Sequence, residues 1–179
     1  SSAEPGRNVV LTIDLAIQEA AEKALNSVYK DVRGAAVVLD PNTGDILAMA
    51  SVPAFDPNRF VKRFTSAEWE SAKMNDPEMK PWVNRASHEI YPPGSIFKIV
   101  VGLACLETST FDPKETIHVS GFFRLRPSGR PWGDLAGPGD YDFRRAFFRS
   151  SNPYFQSNGV FKAGAKRIVE MGRRLGLGS

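Results

Sequence analysis

The apolar positions along the chain change their spacing several times, and each change marks an element. Val9-Val10-Leu11-Thr12-Ile13 is a short β-branched run that reads as a strand. Ile13, Ile17, Ala20, Ala21, Ala24, Leu25 and Val28 then recur at three- and four-residue steps. That spacing predicts one helix to about Tyr29, with Thr12 or Asp14 as its N-cap. Residues 35–39 and 46–50 are two β runs flanking Asp40-Pro41-Asn42-Thr43-Gly44-Asp45, whose turn chemistry predicts a hairpin. Residues 53–57 end its second strand. No period is sustained over 60–81, which reads as irregular and partly helical, with Trp69 and Trp82 as anchors.

The second half opens on Tyr91-Pro92-Pro93-Gly94, a rigid approach to a helix start. From 95 to 107 the apolar residues Ile96, Phe97, Ile99, Val100, Val101, Leu103, Ala104, Cys105 and Leu106 cover nearly every face. A helix of that kind belongs in the middle of a domain. Thr116-Ile117-His118-Val119 reads as a strand and 121–139 as a loop rich in Gly, Pro and Arg. Two further helices are expected, at about 142–148 and 153–175, the last closing at Gly176. No repeat or low-complexity tract interrupts this order.

Composition narrows the class. A chain of 179 residues can bury a real core. With 42% hydrophobic and 24% charged residues, 15 Gly and 13 Pro, it is not disordered, collagen-like or a coiled coil. The longest apolar run, 99–106, is too short to cross a bilayer, and the first residues lack the pattern of a signal peptide, so any membrane anchor is expected outside this chain. Cys105 is the single cysteine, which excludes an intrachain disulfide and a cysteine-built metal site. The net charge of +3 is unevenly spread: residues 124–174 carry a balance of +7 and the first 123 a balance of −4. A basic half admits nucleic acid, anionic headgroups or carboxylate-bearing substrates, and equally a solvated face.

One residue breaks the apolar pattern. Lys98 is the only cation in the 95–107 helix, three residues after Ser95, where an ammonium is desolvated unless its pKa falls. Positions three apart share a helix face, so the amine and the hydroxyl can meet. The positive end of the helix disfavours the protonated amine and favours an oxyanion beside it. Serine beside a neutral lysine is a nucleophile with its base. The same pair also fits a capping serine and a snorkelling lysine. Ser27-Val28-Tyr29-Lys30 repeats the spacing at the end of an amphipathic helix, where the lysine simply complements the dipole. Ser150-Ser151-Asn152 is the only Ser-x-Asn in the chain. It falls between two helices, where its side chains can point into a cleft or cap the helix that follows at Pro153.

Together, Tyr91-Pro92-Pro93-Gly94-Ser95-Ile96-Phe97-Lys98 and Arg149-Ser150-Ser151-Asn152-Pro153-Tyr154-Phe155 resemble the first two of the three motifs of penicillin-recognising serine enzymes. The chain resembles a penicillin-binding protein transpeptidase domain over nearly its whole length. The resemblance includes the 40–49 hairpin, Asn84-Arg85-Ala86 and Gly176-Leu177-Gly178. Tyr-Pro-Pro-Gly-Ser, Gly121-Phe122-Phe123-Arg124-Leu125 and Trp132-Gly133-Asp134 are more similar to the elongation-class penicillin-binding protein 2 than to the septal class. The third motif, Lys-Ser-Gly or Lys-Thr-Gly, is absent, and Lys162-Ala163-Gly164 falls too early and inside a helical pattern to replace it. Residues 1–8 are expected as a lead-in and 9–179 as the N-terminal portion of the domain, truncated before the third-motif strand, with impaired activity in isolation and an unpaired sheet edge prone to association.

The resemblance implies a mixed α/β (α+β) fold of the β-lactamase and transpeptidase type, an antiparallel sheet flanked by helices with a helical lobe carrying Ser150 and Asn152. It implies cross-linking of peptidoglycan stem peptides through an acyl-enzyme on Ser95, with acylation by β-lactam antibiotics. Lys98 would be the base, Ser150 a proton relay to the leaving nitrogen, and Asn152 a hydrogen-bond partner of Lys98 and of the substrate amide. The Ser95 backbone N–H would supply half of the oxyanion hole. The implied location is the extracytoplasmic face of the bacterial cytoplasmic membrane, with a cell-wall glycosyltransferase and elongation-complex proteins as partners. No metal or cofactor is called for, since His88 and His118 stand apart. The rival readings are a β-lactam sensor, a serine β-lactamase-like domain, or a non-catalytic interaction module. Nucleic acid is not expected, because no phosphate loop, zinc motif or aromatic-basic stripe is present.

Overall fold

A computed structural model describes residues 6–178, so residues 1–5 of the expected lead-in lie outside the described residues. The chain divides into two units, Ser1–Tyr91 and Pro92–Ser179. In the first, helix α1 (Leu15–Asn26) starts where Asp14 Oδ1 accepts the Ile17 N–H at 3.0 Å, so Asp14 rather than Thr12 is the cap. Strands β1 (Gly34–Leu39) and β2 (Ile46–Val52) form the expected antiparallel hairpin. Alternate β2 residues Ala48, Ala50 and Val52 are fully buried. The run 9–13 is not a strand: Val9, Val10 and Leu11 are exposed, and the chain instead reaches the outer edge of β2 through single bonds. Thr12 Oγ1 donates to Ile46 O at 2.7 Å and the Asp14 N–H to Leu47 O at 2.9 Å. Gln18 completes this cover by accepting the Met49 N–H at 2.8 Å and donating to Met49 O at 3.3 Å, an amide side chain in the role of a neighbouring strand. The outer edge of β1 has no backbone partner among the described residues.

A 3₁₀ turn (Pro57–Val61), α2 (Ser66–Ser71, with a Thr65–Glu68 capping box) and α3 (Arg85–His88) complete this unit. Phe55, Phe60, Phe64 and Trp69 pack edge to face in series. Trp69 is therefore an anchor, whereas Trp82 is 47% exposed and is not.

In the second unit a 3₁₀ turn (Gly94–Phe97) runs directly into α4 (Lys98–Leu106). Strand β3 (Ile117–Val119) leads to β4 (Phe122–Phe123). The loop 121–139 holds β5 (Trp132–Gly133), which pairs with β4, and β6 (Gly139–Tyr141) pairs with β3. Helices α5 (Phe143–Arg149, capped by Asp142) and α6 (Asn152–Asn158) follow, then a π-helical turn (Gly159–Ala163) and α7 (Gly164–Arg174). The single helix expected over 153–175 is thus broken. Gly159 packs so closely that a Cβ there would lie 2.9 Å from Val101 Cγ1, and Gly164 takes φ 77°, which only glycine adopts without strain. Gly176 closes α7, with its N–H on Arg173 O and the Leu177 N–H on Gly172 O.

Val100, Ala104 and Cys105 of α4 form a core with Phe111, Val119, Tyr141, Ala146, Tyr154, Phe155, Ala163 and Met171. The opposite face of α4 is open: Ile99, Leu103 and Leu106 are 50%, 37% and 44% exposed. The all-round apolar pattern is therefore only half used, because the helices of this unit pack on one side of α4. Among the described residues no helix is long and apolar enough to cross a membrane.

Candidate active site

The 3₁₀ turn ending at Phe97 and the start of α4 place Ser95 and Lys98 on one side, with Lys98 Nζ 3.3 Å from Ser95 Oγ. Across from them the α5–α6 junction turns sharply. Ser150 adopts the left-handed conformation (φ 55°, ψ 40°), which a non-glycine residue takes only at a cost of roughly 1–2 kcal/mol. That conformation presents both polar groups of Ser150 to the amine: Lys98 Nζ donates to Ser150 O at 2.5 Å and to Ser150 Oγ at 2.8 Å. Ser150 Oγ lies 3.0 Å from Ser95 Oγ. Two hydroxyls and one amine therefore close a triangle, with the Ser150 carbonyl anchoring the amine from behind.

Lys98 is buried while Ser95 is exposed. Burial holds the Lys98 pKa below the ordinary lysine range, and the charge of Asp134 pulls in the opposite direction. The Phe155 ring centroid lies 5.9 Å from Nζ. In its neutral form this amine has two N–H bonds and one lone pair. With one N–H on Ser150 O, the lone pair is free to take a proton from Ser95 or from Ser150. Beside the triangle lies a cavity of about 430 Å³, lined mainly by apolar residues such as Phe97, Val101 and Phe155, with Lys98, Asn152 and Gln156 as its polar members.

Asn152, the first residue of α6, lines that cavity but is not bonded to Lys98. Its side-chain amide reaches Gly133 O at 3.5 Å, and its backbone N–H donates to Asp134 Oδ2 at 3.0 Å. Ser151 is wholly buried, with its Oγ unpaired and no capping bond to α6, so the capping role considered for this motif falls to Asp134 instead. Asp134 is the residue that sequence reasoning passed over. Its signal was available, since it is the only acid between Glu115 and Asp140. Ser27 Oγ bonds back to Ala24 O at the end of α1, as its structural reading requires.

The model of the penicillin binding protein transpeptidase domain family matches residues 34–179. The chain is 33% identical over 177 residues to the Escherichia coli K12 peptidoglycan D,D-transpeptidase MrdA, covering 98% of this chain and 27% of that protein. It is 34% identical over 183 residues to the Mycobacterium tuberculosis H37Rv peptidoglycan D,D-transpeptidase PbpA, covering 97% of this chain and 36% of that one. The chain thus spans roughly a quarter to a third of the length of the curated relatives it matches. Among solved structures, Pseudomonas aeruginosa PBP2 in complex with WCK 5153 superposes with TM-score 0.82 at 35% identity, covering 97% of this chain and 37% of that chain. The penicillin G acyl-enzyme complex of M. tuberculosis penicillin-binding protein A gives TM-score 0.82 at 32% identity, covering 94% and 40%. A serine-lysine-serine triangle beside a cavity, within a fold matched along almost all of its length, leads to one conclusion: the chain belongs to the penicillin-binding protein transpeptidase domain family.

Proposed function

We propose that this chain carries part of the catalytic centre of a peptidoglycan D,D-transpeptidase of the elongation class, in which Ser95 is acylated by a D-Ala-D-Ala stem peptide and by β-lactams. The observation that carries the reading is the bonded triangle of Ser95, Lys98 and Ser150. Lys98, made easier to deprotonate by burial, takes the Ser95 proton in its neutral form, directly or through Ser150 Oγ, and the Ser95 oxygen forms the bond to the penultimate D-alanine carbonyl. The Ser95 backbone N–H lies in the first helical turn, where no intrahelical partner exists, and supports the developing oxyanion. As the tetrahedral intermediate collapses, the proton passes by Ser150 to the leaving nitrogen and terminal D-alanine departs. The amine of a second stem then attacks the ester carbonyl and frees Ser95. Asn152, at the cavity mouth, is placed to hold the substrate amide.

Residues 9–179 are proposed as the N-terminal portion of the domain, in keeping with their 37–40% coverage of the solved chains. The substrate-carboxylate site is assigned to no residue here. On this reading the protein acts on the extracytoplasmic face of the bacterial membrane, where stem peptides are exposed, and a glycosyltransferase and other elongation proteins are its proposed partners. The test is to give the full-length protein a stem pentapeptide and an acceptor amine. Release of D-alanine with formation of the cross-linked peptide supports the proposal. Rapid β-lactam hydrolysis without peptide turnover would assign the site to a β-lactamase, and a stable β-lactam adduct without peptide turnover to a sensor.

A further inference from the structure

This inference rests on the acyl-transfer reading above and adds a residue to it. We propose that Asp134 is a positioning residue of the site, a carboxylate that fixes Asn152 in the cavity wall and brings a negative charge to the segment on which Lys98 is anchored. Its two oxygens have separate tasks. Oδ2 accepts the Asn152 backbone N–H at 3.0 Å, and Oδ1 accepts the Ala136 N–H at 3.1 Å, which pins the loop that holds the carboxylate. The carbonyl of the preceding residue, Gly133, meets the Asn152 side-chain amide at 3.5 Å, so one short stretch of loop holds Asn152 by both main chain and side chain. Nothing nearer in sequence does this. Ser151 leaves its hydroxyl unused, and Pro153 has no N–H to offer.

The charge is as well placed as the bonds. Lys98 is the only charged residue of α4, and α6 has none. Their other titratable groups, Cys105 and Tyr154, are buried and held neutral, with pKa values pushed up to about 11 and about 12. On α5, Arg144 is exposed, Arg145 lies over the Tyr141 ring and Arg149 turns to Ala136 O at 3.3 Å. From the π turn Lys162 is drawn to Thr110 O and Glu115, and on α7 Lys166 pairs with Glu170, Arg167 bonds to Ala163 O, Arg174 holds Glu107, and Arg173 is exposed. Among the described residues Asp134 is thus the unpaired acid closest along these contacts to Lys98, holding residue 152 while the amine holds residue 150, and it favours the ammonium that forms when Ser95 gives up its proton. Burial and Asp134 set the amine between them, one making it a base and the other stabilising its conjugate acid.

The test is the second-order acylation rate of the full-length protein by a fluorescent penicillin as a function of pH, for wild type, Asp134→Asn and Asp134→Glu, with melting temperatures for each. Asparagine keeps the shape but loses the charge and can accept only one of the two N–H groups. The acidic limb of its profile should move down by about half a pH unit or more, and its plateau should fall about tenfold as Asn152 loosens. Glutamate keeps the charge but displaces it, so its plateau should fall while the limb stays nearer to that of wild type. A limb unmoved in Asp134→Asn would overturn the proposal, whether the melting temperature falls, which makes Asp134 merely structural, or holds. A wild-type protein that penicillin does not acylate at all would instead overturn the acyl-transfer reading itself, and this inference with it.

Discussion

Ser150 is where stability and chemistry oppose each other most clearly, and the replacements Ser150→Gly and Ser150→Ala separate them. Both remove the hydroxyl that lies 2.8 Å from Lys98 Nζ and 3.0 Å from Ser95 Oγ. A positioned proton-transfer group contributes about 10²–10⁴ in rate, so both variants should be acylated by penicillin at least about 100-fold more slowly. Residual activity should remain above that of Ser95→Ala, because Lys98 still contacts Ser95 directly at 3.3 Å and keeps its anchor on the residue-150 carbonyl. Stability should diverge. At φ 55° alanine retains a left-handed cost of roughly 1–2 kcal/mol, which glycine lacks. Glycine gives back about 0.4–1 kcal/mol through the greater entropy of its unfolded chain. The glycine variant should therefore be more stable than the alanine variant by about 1 kcal/mol, which is a few degrees in melting temperature. Urea titration and stopped-flow acylation would measure the two quantities. An alanine variant as stable as the glycine variant would refute the strain argument, and acylation within a few-fold of wild type would refute the proton path.

Gly102 lies against α5, where a Cβ would sit 3.1 Å from the Phe143 ring; overpacking of about 1–3 kcal/mol set against about 1 kcal/mol of gained helix propensity predicts that Gly102→Ala loses about 1 kcal/mol in denaturant unfolding, because Phe143 is held by Phe111, Phe147 and Phe155. Lys98→Met should flatten a pH dependence. Because the folded pKa of Lys98 lies below its unfolded value, the unfolded chain binds more protons over the interval between them, and wild-type stability gains with rising pH there. The difference in unfolding free energy, wild type minus Lys98→Met, should therefore climb from the lowered pKa to about 10.4. The opposing loss of stability from Cys105 and Tyr154 is common to both proteins and cancels. A difference independent of pH would contradict the desolvated amine. Cys105, 1% exposed with its pKa pushed up to about 11, should react with a thiol reagent only as fast as the protein opens, and prompt labelling of the folded chain would contradict its burial.

Features written in short spans of sequence were the legible ones. The 40–45 turn, the Asp14 cap that the sequence offers beside Thr12, and the meeting of Ser95 with Lys98 each depend on residues within a few positions of one another. Misreadings came where a distant contact overruled local pattern. Val9 to Ile13 has strand composition, yet Gln18 occupies the β2 edge that those residues would need. The 153–175 pattern is helical throughout, yet the approach of Gly159 to Val101 and the positive φ of Gly164 divide it. Ser150 was legible as a motif member, but its left-handed backbone and the donation of Lys98 to its carbonyl were not. Asp134 stands out as the one acid of residues 116–139, but it reaches Asn152 across 18 positions from a loop without periodicity, so the sequence marks the residue and not its contact.

Ser95 is proposed as the nucleophile of a slowly deacylating penicillin-binding centre. Intact-mass spectrometry of the full-length protein after addition of penicillin, followed by peptide mapping and with Ser95→Ala as control, tests it most directly. One stable adduct is expected on the peptide bearing Ser95, absent from the variant. No adduct, or one that persists in Ser95→Ala, would contradict it and leave Ser95 and Lys98 as a helix cap and a buried amine.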